Sequence, residues 1–162
     1  MNEYVYVGKI VNTHALKGEV RLLSNFEYKD KVFLSGKTLY VGMHKSKEII
    51  ETYRRHKQFD MIKFKGIDYI NDVLKYKGAY VYVLKNDIEL NDDEILPEEF
   101  LIMNAYNNDK LIGKIEEYRN DNGNKMIKVS GKYIPYNKDF IIKIDKKNNA
   151  IYFHGIEVFL WE

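Results

Sequence analysis

Tyr4-Val5-Tyr6-Val7-Gly8-Lys9-Ile10-Val11 opens the chain on an alternating run of aromatic and β-branched residues. Successive side chains of a strand point to opposite faces, so this alternation predicts a half-buried strand. A loop follows, and residues 18–23 read as a second strand. Residues 37–43 and 47–54 flank a short polar turn at 44–46, the pattern of a hairpin, and 59–64 form a further strand around Met61, Ile62 and Phe64. One short helix is predicted next. Asp68 is placed as its N-cap, Ile70, Val73 and Leu74 make one apolar stripe, and Gly78 ends it. Residues 79–84 return to strand. Short antiparallel strands that close on themselves leave no free edge, so the first half predicts a small β-barrel.

Residues 86–99 break this pattern. They hold Asp87, Glu89, Asp92, Asp93, Glu94, Glu98 and Glu99 with Pro97, the composition of an interdomain linker. Strands then resume. Residues 114–118 and 125–129 flank Asp121-Asn122-Gly123-Asn124. Asn-Gly between two such runs is a strong hairpin signal, because a type I′ turn needs positive φ at both central residues. Ser130-Gly131 makes another turn, and residues 140–144 and 150–153 form the last hairpin. The expected fold is all-β, two small β-barrels in tandem with one short helix in the first. The expected domains are 1–85 and 99–162, joined by an acidic linker at 86–98.

Composition narrows the function. The chain has 162 residues and no cysteine, which removes disulfides, thiolate metal sites and a cysteine nucleophile. No apolar run approaches the ~18 residues of a membrane span, and the first residues lack the basic start of a signal peptide. A cytoplasmic monomer is expected. Lys, Asn, Ile, Tyr and Phe, all favoured by adenine/thymine-rich codons, make up almost half the chain, so abundant lysine and tyrosine alone do not indicate nucleic-acid binding. Charge is more informative. Residues 1–85 carry 16 Lys/Arg against 9 Asp/Glu, and residues 86–162 carry 10 against 15. A basic half joined to an acidic half suggests two modules with different partners.

The segment Gly8-Lys9-Ile10-Val11-Asn12-Thr13-His14-Ala15-Leu16-Lys17-Gly18-Glu19-Val20-Arg21-Leu22 resembles the opening of the RimM ribosome maturation factors, with Ala15 where the family has glycine. Arg54-Arg55-His56-Lys57 and Ile62-Lys63-Phe64-Lys65-Gly66-Ile67-Asp68 resemble the family's basic stretch and the segment after it. Leu111-Ile112-Gly113-Lys114-Ile115, Ile134-Pro135-Tyr136, Ile144-Asp145 and Ile151 resemble a photosynthetic-reaction-centre-type (PRC) barrel. The family's usual opening of that barrel is reduced here to Glu99-Phe100-Leu101-Ile102. The resemblance implies a six-stranded RimM-type barrel followed by a PRC-type barrel. It implies an assembly factor, not an enzyme, with no cofactor. Its partners would be the small ribosomal subunit precursor, 16S rRNA and the head ribosomal protein S nineteen.

Candidate sites follow. His14, Leu16, Gly18 and Glu19 form a loop motif, with Gly18 permitting a tight turn and Leu16 closing the barrel mouth. Lys17 and Arg21 are candidates for ribosome contact, although Arg21 also fits an outward strand position. Arg54, Arg55, His56 and Lys57 form the densest basic patch and hold two of the four arginines. A guanidinium presents a planar fork suited to phosphate, so RNA contact is expected there. Tyr80 and Tyr82 share one strand face and are expected mainly to pack the barrel, with base stacking the alternative. Phe100, Phe159 and Trp161 are candidates for a protein partner, although the segment holding Phe159 and Trp161 is expected mainly to dock on the second barrel, with a partner the alternative. His14, His44, His56 and His154 are too scattered to suggest a metal site. Two other functions stay open: a permanent RNA-binding barrel protein of the ribosome, and an RNA-acting enzyme, which would need a catalytic constellation.

Overall fold

The computed structural model describes residues 3–14 and 18–161. The chain divides into two compact units, Met1–Glu89 and Leu90–Glu162. In the first, β1 (Tyr4–His14), β2 (Glu19–Leu23), β3 (Thr38–Val41), β4 (Ser46–His56), β5 (Phe59–Phe64) and β6 (Tyr80–Leu84) form a closed barrel. Its order is β1-β2-β5-β4-β3-β6, with antiparallel pairing throughout.

Alternation decides which side chains enter. Val20 and Leu22 are buried while Arg21 between them is not, and Val81 and Val83 are buried between the outward Tyr80 and Tyr82. Each fully buried Val, Leu or Ile stabilises by roughly 1.5–3 kcal/mol. Tyr80 and Tyr82 therefore do not pack the barrel interior, because valines hold the inward positions of β6.

The helical content of this unit differs from expectation. Two four-residue helices occur, α1 (Lys29–Val32) and α2 (Ile70–Val73), the second running into a 3₁₀ turn at Leu74–Tyr76. Tyr69, not Asp68, precedes α2, because the Asp68 carboxylate accepts a hydrogen bond from Lys63 at 2.9 Å. The buried positions are Val73 and Tyr76, while Leu74 faces solvent. Val32 and Phe33 bring α1 into the core, and Phe33 stacks on Tyr53.

In the second unit, β7 (Asn104–Asn107), β8 (Lys110–Asp121), β9 (Asn124–Val129), β10 (Lys132–Pro135), β11 (Ile141–Asp145) and β12 (Ala150–Phe153) make a six-stranded sheet. Its order is β10-β9-β8-β7-β12-β11, with β7 and β12 parallel. A bulge between Ile115 and Glu117 bends β8 as it passes from β7 to β9. Ile134 of one edge strand lies in the same core as Ile115, Ile127 and Phe153, and Ile141 and Ile144 of the other edge pack against it. The sheet thus curls over a single core. Asn122 and Gly123 take φ of 53° and 91°, as a type I′ turn requires, and Ser130 and Gly131 repeat the device.

The acidic stretch is not all spacer. Ile88 is buried in the first unit, and Ile95 belongs to the second core. Residues 97–102, which include Glu99-Phe100-Leu101-Ile102, form a 3₁₀ turn, with the Leu96 N–H donating to Glu99 at 3.0 Å. Residues 157–160 form a single helical turn, α3 (Glu157–Leu160).

Candidate nucleic-acid interface

Residues directly opposite on neighbouring strands share a face. Asn12 pairs with Arg21, Arg21 with Met61, and Met61 with Arg54, one row across β1, β2, β5 and β4. His14 pairs with Glu19, and His56 with Phe59, on the same outer side. The two ends of the predicted basic region therefore meet on the barrel wall, although some 35 residues separate them in sequence.

The side-chain geometry bears this out. Arg54 donates through Nε and Nη2 to both oxygens of Glu19, at 2.9 and 2.8 Å. That pairing raises the Arg54 pKa further above its ordinary value. Arg21 Nη2 donates to His14 Nδ1 at 2.7 Å, and its guanidinium lies 5.5 Å from the Phe59 ring centre. The His14 and His56 rings are 6.0 Å apart. Met61 is fully buried between the two arginines, so long side chains roof an apolar floor. The result is a half-exposed patch of two guanidinium groups and two imidazoles, with one carboxylate among them.

Arg55 goes the other way. It pairs with Asp60, on the face opposite to Arg54, and its Nη1 lies 3.0 Å from Asp60 Oδ2. Lys29 approaches the same oxygen at 2.9 Å, and the Tyr53 hydroxyl donates to Oδ1 at 2.5 Å. Asp60 itself is 0% exposed. Arg55 thus neutralises a buried carboxylate as well as being a predicted contact residue. Lys57 is exposed at the β4–β5 turn, with φ of 57°.

Gly18 is buried with φ of 83°, and a Cβ there would lie 3.1 Å from the Ile67 carbonyl oxygen. Leu16, Lys17 and Ala15 lie outside the described residues. Among the described residues, no three His, Asp or Glu side chains gather as metal ligands, and no helix is long and apolar enough to cross a membrane.

Residues 5–88, just over half the chain, match the family described as RimM N-terminal domain. The chain belongs to the RimM family. The "Ribosome maturation factor RimM" of Streptococcus mutans is 37% identical over 159 residues, covering 92% of both chains. That of Staphylococcus haemolyticus is 38% identical over 155 residues, covering 91% of this chain and 93% of its own. Among solved structures, a RimM protein of Pseudomonas aeruginosa matches 97% of this chain and all of its own, at 18% identity and a TM-score of 0.49.

The second unit carries the residues expected to meet a protein. Phe100 is 2% exposed, so it is not available to a partner. It stacks on Tyr118 at 4.2 Å and meets Tyr136 edge-on, because the 3₁₀ turn points it into the core. Phe159 is half-buried against Phe140, whereas Trp161 and Val158 are 73% and 64% exposed.

Sequence reasoning missed Phe59 and Met61 as the floor of the patch. The register of β4 and β5 would have found them, since both stand opposite basic residues. It also missed Asp60, whose signal was a lone carboxylate inside an apolar strand.

Proposed function

We propose that this chain is a ribosome maturation factor that binds the immature small ribosomal subunit, touching 16S rRNA through the outer patch of its first barrel. The observation that carries this reading is the convergence of Arg21, Arg54, His14 and His56 on one barrel wall. The names of its RimM relatives supply the setting. Backbone phosphates accept from guanidinium forks whatever the base sequence, so this patch would position the protein rather than read bases.

The second unit would meet protein. Its exposed Trp161 and Val158 suit an anchor for ribosomal protein S nineteen. The two units would act as separate domains of a cytoplasmic monomer, with no catalytic role.

The test uses Arg54→Glu with Lys57→Glu, both exposed. Arg55 is left intact, because reversing it would set a carboxylate beside buried Asp60 and unfold the site. The variant should bind immature small subunits more weakly, and its salt slope should fall by about one for each phosphate no longer neutralised. An unchanged slope would count against the patch. Wild-type protein should favour immature over mature subunits; equal retention on mature subunits at high salt would favour a permanent ribosomal protein instead.

A further inference from the structure

Five of the chain's tyrosines stand together on the outer wall of the first barrel. Tyr6, Tyr82 and Tyr40 are directly opposite one another across β1, β6 and β3. Tyr4 and Tyr80 flank that row. The rings meet edge to face, with centres 5.3–6.3 Å apart and planes inclined by 67–72°. Tyr4, Tyr6 and Tyr80 remain 47%, 49% and 51% exposed. Codon bias explains many tyrosines but would scatter them, whereas these five are contiguous.

The surrounding charges point to the occupant. Lys45 lies 4.3 Å from the Tyr82 ring centre and 5.5 Å from that of Tyr4, and Lys9 lies 5.6 Å from that of Tyr80. Lys47 is directly opposite Tyr40 on β4 and exposed. Tyr80 also borders an open depression of about 490 Å³ whose lining includes Lys75, Lys77 and His44 beside the apolar Val41, Met43 and Tyr76. Asp87 is the carboxylate that acts on Tyr40. Protein–protein interfaces are depleted in lysine, whereas grooves for single-stranded nucleic acid pair cations with aromatic rings on which bases stack.

We propose that this tyrosine face is a stacking platform for unpaired RNA bases, with the surrounding lysines tracking the phosphates. This rests on the reading of the protein as an RNA-binding maturation factor, but it assigns a second surface. The basic patch would hold backbone, and the tyrosine face would hold splayed bases.

The test measures full-length protein against a short oligouridine carrying one 2-aminopurine, whose fluorescence is quenched when it stacks. Tyr6→Ile with Tyr82→Ile keeps a β-branched outer face but removes two π-faces. Tyr6→Phe with Tyr82→Phe keeps the rings and controls for folding. Wild type and the Phe pair should quench the probe. The Ile pair should abolish the quenching and bind roughly 5- to 150-fold more weakly for each base that no longer stacks, with the salt slope unchanged because no charge is removed. Three results would overturn the proposal: quenching and affinity retained in the Ile pair, a Phe pair as defective as the Ile pair, or an Ile pair that keeps RNA affinity but no longer binds subunits. The last would make the face a protein-docking surface. Failure of the basic-patch reading is seen separately, in the salt slope of the Arg54→Glu, Lys57→Glu protein.

Discussion

Asp60 is the only charged side chain among the described residues that is fully enclosed. Burying a carboxylate is costly unless cations and donors surround it, and here Arg55, Lys29 and the Tyr53 hydroxyl do so. Burial and the hydrogen bond to Asp60 push the Tyr53 hydroxyl up to about 12, and burial and Glu48 do the same to Tyr76. The folded pKa exceeds the ordinary value of 10, so the stability these groups contribute is whole below pH 10 and is lost as pH rises towards 12. Tyr53→Phe with Tyr76→Phe should therefore flatten the loss of urea stability over that window, and a wild-type slope in the double variant would refute the assignment. Glu19 makes a different point. It occupies the fork of Arg54, yet an exposed ion pair is worth only ~0–1 kcal/mol, so phosphate can displace it. Glu19→Gln should free the fork and tighten RNA binding a few-fold at low salt; weaker binding in a titration would show that Glu19 itself positions Arg54. None of this partner choice was legible in sequence. Arg54 and Arg55 are adjacent letters, but consecutive strand residues point to opposite faces, and only the register shows which one reaches solvent.

The longer strands were legible because alternation repeats often enough to fix both element and face. Residues 59–64 are a strand with the expected ends. Among the short elements, the four-residue strand at 150–153 was legible from the polar turn before it, but others were not. Helix α1 has four residues and no side-chain cap, and β7 and β10 have four residues each. Too few positions exist there for a period to show. The β7–β8 turn did carry a signal, since Asn108 and Asp109 both take positive φ, a conformation that Asn and Asp tolerate better than most. Bulges are also silent in sequence. β1 shifts register between Tyr6 and Gly8, which is how Tyr6 and Lys9 both come to face outward. A Cβ at Gly8 would lie 2.9 Å from the Leu23 carbonyl oxygen and 3.1 Å from the Ser24 Cβ. Gly8→Ala should thus force β1 from the end of β2 and cost about 1–3 kcal/mol, as overpacking does. A midpoint of urea unfolding equal to that of wild type would mean that the backbone yields there without penalty.

The division of charge follows the division of the chain. Met1–Glu89 carries 16 Lys/Arg and 11 Asp/Glu, a net of +5, while Leu90–Glu162 carries 10 and 13, a net of −3. A polyanion therefore gains from the first unit and is repelled by the second, most strongly at low ionic strength, where screening reaches furthest. The second unit's one arginine, Arg119, is held by Asp121 at 2.9 Å and lies near Glu117 and Tyr133. The basic patch and the tyrosine face both lie on the first barrel, on the two ends of β1, so one strand connects the surfaces proposed for phosphates and for bases. Ultraviolet crosslinking of the full-length protein to immature small subunits should accordingly attach RNA to peptides within residues 1–89, with Tyr6, Tyr80 and Tyr82 prominent because stacked rings crosslink efficiently. RNA crosslinks concentrated in residues 90–162 would reverse the assignment of partners, since they would require the negatively charged unit to carry the nucleic-acid contact.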